Sequence, residues 1–240
     1  MLRHQGRKRK FRHNLGLAVL LSLTAGIVNV AGFLAFSILT TNITGHVAGF
    51  AEKIVHGSFI EARVIFLWMF LFFCGAYLSS WSTQIAVMRD KRFMHALPIA
   101  IEILILLAVG YFGHYFDSSV LKTEILAGSL LFAMGLQNAI VTMISGSVVR
   151  TTHLTGIITD LGIELSQLVH AQDDARKLLN KQILLKAVIV LGFLTGGITG
   201  GYSFSFIGYK TFVIPAVILI MALYYDTVRL NYHRVRRRYF

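Results

Sequence analysis

Cysteine, proline and charge are all scarce in this chain of 240 residues. The single cysteine, Cys74, excludes an internal disulfide and a thiolate metal cluster, and its apolar surroundings predict a small buried residue. Charged residues make up 14% of the sequence, whereas hydrophobic residues make up 55%. A soluble domain of this size cannot bury that much apolar surface, so the bilayer is the expected solvent.

Acidic residues are scarcer than basic ones, and the formal net charge is +12. In a soluble protein such an excess suggests nucleic-acid binding. Here the basic residues gather in "RHQGRKRKFRH" near the start of the sequence and "RLNYHRVRRRYF" at its end, each beside an apolar segment. We therefore expect cytoplasmic anchors at anionic lipid headgroups, and no nucleic-acid partner.

Six apolar runs are long enough to cross about 30 Å of hydrocarbon at 1.5 Å per residue. They cover 14–37, 60–86, 96–116, 122–145, 180–200 and 209–228. Two shorter, more polar segments, 44–57 and 155–170, are open to a re-entrant, interfacial or spanning interpretation. With the N-terminus inside and six crossings, only Lys53, Arg63, Lys122 and Lys210 fall on the outer side. This asymmetry predicts a multi-pass protein with both termini cytoplasmic.

A short polar string occurs twice between the apolar runs. Thr-x-(Ile/Leu)-Thr-Gly covers 41–45 and 152–156, and each copy follows a Gly-x-x-Asn string that ends at Asn29 or Asn138. Each half then reads as a span, a short broken element and two spans. Because three crossings is an odd number, two copies must insert in opposite orientations, as in many secondary transporters.

The predicted fold is an all-α integral membrane protein with about six transmembrane helices. These form two inverted three-helix repeats, each with a short broken or re-entrant helix. The predicted divisions are a basic cytoplasmic tail over 1–13, a first membrane repeat over 14–118, a second over 119–229, and a basic tail over 230–240.

The Thr-Gly strings predict helix starts inside the membrane. Thr and Asn cap helix N-termini, and Gly permits an irregular backbone at a break. Two such N-termini meeting near the midplane would suit an anion or a carbonyl oxygen. Tight surface turns with interfacial helices are the alternative. The predicted substrate-binding residues are Thr41, Asn42, Thr44, Gly45, Thr152, His153, Thr155, Gly156, Asn29 and Asn138.

Ionisable residues within the apolar halves are candidates for ion or proton coupling. Asp160 and Glu164 are four residues apart and share a helix face, where they relay protons, hold a cation or form a wet surface. His46 beside the first string either titrates near neutral pH or lines the site. Glu102, in a long span, is expected to face protein or water, to be protonated, or to reach the interface. No metal-ligand spacing, cofactor motif or nucleophile–base pair is present, so an enzyme is not expected.

The strings "AGIVNVAGFLAF", "TTNITGHVAGFA" and "GLQNAIVTMISGSVVRTTHLTGIITDLG" resemble the signature stretches of the YoaK-like family of bacterial membrane proteins, a domain of unknown function. The similarity covers roughly 14–228. The resemblance implies an integral, multi-helix protein of the bacterial inner membrane. It supplies no substrate.

The leading functional hypothesis is a secondary transporter or exporter of a small solute, with an anion slightly favoured by the opposed helix N-termini. A passive channel would instead need a continuous polar path. In a non-transporting scaffold or partner subunit, the Thr-Gly strings would pack without a cavity. The expected partners are the lipid bilayer and a small-molecule or ion substrate, with a homo-oligomer as a further possibility.

Overall fold

The computed structural model describes residues 11–89, 95–114, 120–146 and 148–224. Most of the basic N-terminal tail, the basic C-terminal tail and most of the 87–95 loop, on which the predicted orientation depends, lie outside these residues. The described chain is helical. Its elements in order are α1 (Phe11–Phe36), α2 (Ile43–Val55), α3 (Phe59–Arg89), α4 (Ala96–Phe112), α5 (Val120–Ser145), α6 (Leu154–His170), α7 (Asp173–Ile207), a 3₁₀ turn (Gly208–Phe212) and α8 (213–224).

Four stretches of the described residues are long and apolar enough to cross a membrane. They are Phe11–Phe36, Phe59–Ala86, Lys122–Ser145 and Asp173–Tyr224. The last covers 52 residues and contains the 3₁₀ turn, which begins at Gly208 with a φ of +56°. α4 is apolar but has only 17 residues, about 25 Å at 1.5 Å per residue. The two short polar segments of the sequence form α2 and α6, which are not among the four stretches.

The predicted fifth span, 180–200, lies inside the much longer helix α7. This helix begins at Asp173, so the polar stretch before residue 180 is helical rather than a connector. The segment contains no glycine or proline before Gly192, and Asp173 and Asp174 lie in its first turn. Negative charge there interacts favourably with the positive end of the helix dipole, which supports the earlier start.

Glycines bring two pairs of helices into backbone contact. In the pair α1 and α7, a Cβ on Gly26 would overlap the carbonyl oxygen of Phe193. In the pair α3 and α5, a Cβ on Gly135 would overlap the carbonyl oxygen of Phe72. The glycine-rich string "GFLTGGITGGYSF" supplies the α7 side of the first pair.

α1 and α5 end in the same way. The residue after each helix, Ser37 and Gly146, has a positive φ, 58° and 64° respectively. A left-handed residue at this position terminates a helix and turns the chain. After α1 the chain folds back along the helix, and the Thr40 methyl group reaches the space beside Gly32. Each reversal returns the following polar string to an asparagine in the helix that precedes it.

Candidate functional site

Asn29 of α1 is hydrogen-bonded to Thr41, and we call this contact the first clamp. The Asn29 Oδ1 atom accepts hydrogen bonds from the Thr41 backbone N–H at 3.1 Å and from the Thr41 hydroxyl at 2.9 Å. Asn29 is 7% exposed and is set among apolar residues of α1. Two hydrogen bonds on one acceptor fix the segment that enters α2.

The second clamp joins Asn138 of α5 to Thr152. The Asn138 Oδ1 atom accepts a hydrogen bond from the Thr152 hydroxyl at 2.9 Å. Asn138 lies seven residues before the end of α5, and Asn29 lies seven residues before the end of α1. The two asparagines singled out by the sequence therefore hold the two polar strings in the same way, although the second clamp has one recorded hydrogen bond fewer.

The two short helices start differently. Asn42 is the N-cap of α2, and its Oδ1 atom accepts a hydrogen bond from the Gly45 N–H at 3.1 Å. His153 is the N-cap of α6 and makes no side-chain capping bond. The capping role predicted for the polar strings is thus filled by Asn42 in α2. The N–H groups that open α6 remain available to another acceptor.

Gly45 and Gly156 are required for space rather than for backbone freedom. Neither has a positive φ, so the predicted irregular backbone at these two residues is wrong. A Cβ on Gly45 would lie 2.5 Å from the Asn42 side chain, and a Cβ on Gly156 would lie 3.0 Å from the His153 ring. Each glycine therefore lets the N-cap side chain fold over the first helical turn.

The structure places α2 against α3 and α6 against α7, and the two short helices do not form a packed pair in the described chain. Thr44 and Thr155 are exposed. The His46 Nε2–H donates to the Leu39 carbonyl at 2.9 Å, and its ring meets Trp68 edge-on. His46 thus fixes α2 to the preceding turn and to α3. The predicted meeting of the two N-termini across a shared hollow stays a prediction.

The predicted coupling acids face a lysine. Lys186 of α7 forms an ion pair with Asp160 at 3.4 Å and a closer ion pair with Glu164, which is 8% exposed. The pair joins α6 to α7. In the first half, Lys53 of α2 binds Glu61 of α3 at 2.9 Å, and this hydrogen bond raises the pKa of Lys53. Each short helix therefore forms ion pairs with the long helix that follows it. The short helix supplies the cation in the first half and the acids in the second.

Three neighbours of the clamps are fully buried polar residues without a hydrogen-bond partner among the described residues. Thr40 precedes Thr41, Thr151 precedes Thr152, and Gln137 precedes Asn138; each is 0% exposed. The Thr40 and Thr151 hydroxyls and both polar atoms of the Gln137 carboxamide lack partners. A buried polar group without a partner costs about 1–3 kcal/mol. These groups therefore mark places where water or a polar solute is expected.

Two surface concavities are lined by residues other than those of the clamps. One, about 470 Å³, is lined by apolar and small residues of α1 and α7, including Leu34 and Gly201. The other, about 300 Å³, lies against α3 and includes Arg63 and Glu124. Neither contains a predicted site residue. Among the described residues, no three His, Cys, Asp or Glu side chains form a group able to hold a metal ion.

A family model described as "Protein of unknown function (DUF1275)" matches residues 17–225, most of the chain. The chain belongs to the DUF1275 family. The matched region of this DUF1275 protein contains both clamps, both short helices and the Lys186 ion pairs. No curated protein and no solved structure matches it. The family description carries neither the YoaK name nor an activity.

The recurring strings of this DUF1275 protein mark the clamp residues but not the hydrogen bonds between them. Asn29, Thr41, Asn138 and Thr152 were recognisable because the polar string and its preceding asparagine recur. Thr40 and Thr151 carry a similar signal, since both lie one residue before a copy of the string. Lys186 carries none, because a lysine near the start of the predicted span 180–200 also satisfies the expected charge distribution.

Proposed function

We propose that the protein carries a small polar solute across the bacterial cytoplasmic membrane as a secondary transporter. Both termini would lie in the cytoplasm. The solute site would lie between two membrane repeats, each with one clamp. The observation that supports this most is the recurrence of the clamp with unpartnered buried polar groups beside it. In secondary transporters, broken helices at such sites contribute helix N-termini and free backbone groups.

Matched contacts support the duplication. Gly26 and Gly135 are 109 residues apart, as are Asn29 and Asn138. Gly26 meets Phe193 and Gly197, and Gly135 meets Phe72 and Ala76, so the partners are 121 residues apart in both cases. The two prolines, Pro98 and Pro215, each occupy the third residue of their helix. These equivalent tertiary contacts support duplication over a chance similarity of short strings.

Helix directions support opposite insertion of the two halves. Gly196 of α7 lies against Leu23 of α1, and Gly200 lies against Ile27, so these two helices run parallel. In the other pair, Trp68 donates to the Glu124 carbonyl and Gly135 meets Ala76, so α3 and α5 also run parallel. Each first span is thus packed beside the second span of the other half. An inverted repeat with α1 and α7 crossing one way and α3 and α5 the other fits this pairing.

The clamp depth fits a buried site. Seven residues correspond to about 10 Å along a helix, so each asparagine lies about 10 Å inside the end of its span. Irregular backbone at such depth is tolerated where protein or a water-filled cavity surrounds it. The clamps supply that protection for the segments that enter α2 and α6.

The available groups favour a solute with hydrogen-bonding oxygens. Gln137 offers two donors and an acceptor, and Thr151 offers a hydroxyl. The uncapped N–H groups of α6 and the positive end of its dipole favour an anion or a carbonyl oxygen. A small anion or carbonyl compound is therefore the preferred substrate class.

Ligand binding to purified protein tests this proposal. A thermal-shift screen of small anions, carbonyl compounds and polyols is expected to give hits that stabilise the wild type. Gln137→Leu and Thr151→Val should abolish the shift, whereas the control Thr199→Val should retain it because its hydroxyl bonds within α7. A hit that stabilises all four proteins equally would show that the solute does not bind beside the clamps. Saturable uptake of a hit into proteoliposomes separates a carrier from a scaffold.

Cysteine labelling tests the inverted arrangement. In a Cys74→Ser background, Thr44→Cys and Thr155→Cys are expected to react with membrane-impermeant reagents from opposite sides, since both side chains are exposed. Labelling of both from one side would contradict opposite insertion.

A further inference from the structure

Glu102 of α4 is a buried acid that neither clamp uses. It is 1% exposed, and its Oε1 atom has no hydrogen-bond partner among the described residues. Three nearby residues of the same helix are also buried: Ile99, Ile103 and Leu106. The alternative in which the side chain reaches the membrane interface is excluded by this burial. An ionised carboxylate in such surroundings is costly, so the neutral acid is the stable form.

Among the described residues, the Glu102 Oε1 atom meets no counter-ion on the elements packed on α4. These are α3, α5, the 3₁₀ turn and α8, whose Val213 lies beside Gly110 of α4. The titratable residues with described side chains on these elements are Glu61, Arg63, Cys74, Tyr77, Lys122, Glu124, Tyr209, Lys210 and Tyr224. The Glu102 Oε1 atom makes no hydrogen bond to any of them. By contrast, Asp160 and Glu164 are already paired with Lys186.

The other half of the molecule fills the corresponding place with leucine. When Pro98 of α4 is aligned with Pro215 of α8, Glu102 corresponds to Leu219, which is 0% exposed. Packing at this position therefore does not require a carboxyl group. Gln137 of α5 is a second buried polar residue with an apolar counterpart. When Asn138 is aligned with Asn29, Gln137 corresponds to Val28 of α1, which is also 0% exposed. Both polar exceptions lie on α4 and α5, which pack together.

We propose that Glu102 is the proton-binding site that couples solute movement to the proton gradient, an inference that rests on the proposed transport function. In the closed state the carboxyl group holds its proton. When the protein opens to one side, the O–H bond breaks and the proton passes to water, leaving a carboxylate. Protonation from water on the other side restores the neutral acid and permits closure.

Infrared spectroscopy tests the protonated state without any substrate. Wild-type protein in lipid nanodiscs near neutral pH is expected to show the C=O stretching band of a carboxylic acid, and Glu102→Gln should lose it. Glu164→Gln should retain the band, since Glu164 is paired with Lys186. Glu102→Leu reproduces the residue of the other half and provides a second variant if Glu102→Gln folds poorly. The proposal would be overturned if the wild type lacks the band, or if the band persists in both Glu102→Gln and Glu102→Leu.

Transport in proteoliposomes tests the coupling. With a solute identified by the thermal-shift screen, a proton gradient should drive accumulation by the wild type. Glu102→Gln should lose this accumulation while still exchanging solute between the two sides. Equal gradient-driven accumulation in both proteins would overturn the role of Glu102 and leave the transport function intact. If neither protein exchanges solute, the transport function itself fails and the coupling with it, even where the infrared band is present.

Discussion

The two clamps use the same residue types but differ in how completely their polar groups are bonded. In the first, Asn29 accepts two hydrogen bonds from Thr41, and Asn42 caps the short helix. In the second, Asn138 accepts one from Thr152, and the N-cap residue His153 makes no capping bond. The first clamp therefore resembles a fixed anchor, while the second leaves more polar groups free.

The surroundings accentuate this difference. Val28 precedes Asn29, whereas Gln137 precedes Asn138, and both are fully buried. The second half thus combines an unpartnered carboxamide with an uncapped helix start. Under the proposed transport function, the second half would bind the solute and the first would hold a fixed backbone. Stability should therefore depend more on the first clamp and ligand binding more on the second.

The largest expected loss of stability should be equal in the two halves. Gly26→Ala and Gly135→Ala each place a Cβ against backbone of a neighbouring helix, so each should destabilise the protein by about 3 kcal/mol. Unfolding in detergent measures this. Gly162→Ala is the control, because nothing lies within 4 Å of the added Cβ. A large effect at one glycine only would contradict equivalent packing of the two helix pairs.

The next largest loss of stability should distinguish the ion pairs of Lys186 from those of Lys53. Lys186→Met leaves Glu164, which is 8% exposed, without its cation, and should destabilise the protein by about 2 kcal/mol. Lys53→Met removes two ion pairs, with the exposed residues Glu52 and Glu61, so no measurable change in unfolding is expected. Adding Glu164→Gln to Lys186→Met should restore part of the loss. No restoration would show that Lys186 contributes through packing rather than charge.

The clamps themselves should give smaller, unequal effects. Asn29→Leu removes two hydrogen bonds and Asn138→Leu removes one, so losses of about 1.5 and about 0.6 kcal/mol are expected. Hydrogen exchange should increase in α2 for the first variant and in α6 for the second. Equal losses in stability would show that the additional bond to the Thr41 N–H contributes nothing measurable.

Hydropathy predicted the long helices well, because a run of about 20 apolar residues has few alternatives to a membrane-spanning helix. The start of α7 was harder, since Asp173 to Lys181 is polar and hydropathy does not register a polar helical turn. The 17-residue length of α4 was also not evident, because its apolar run extends beyond Phe112 to Tyr115 and Phe116.

The candidate site was predictable in its residues but not in its contacts. Recurrence identified Asn29 and Asn138, yet their bonds to Thr41 and Thr152 depend on chain reversals after α1 and α5. At Ser37 a non-glycine residue makes that reversal, so no sequence signal marks it. The pairing of Glu164 with Lys186, 22 residues later, likewise depends on how α6 folds against α7.

The smallest expected effect concerns the two helix starts, and it has opposite signs in the two halves. Asn42→Ala removes the bond to the Gly45 N–H and should reduce stability by about 1 kcal/mol. His153→Asn supplies the missing cap to α6 and should increase stability by about 0.5 kcal/mol. The same substitution should weaken ligand binding, because the added Asn oxygen occupies N–H groups that the solute would otherwise accept from. A stabilised variant with unchanged ligand binding would separate the α6 N-terminus from the solute site and leave Gln137 and Thr151 to define it.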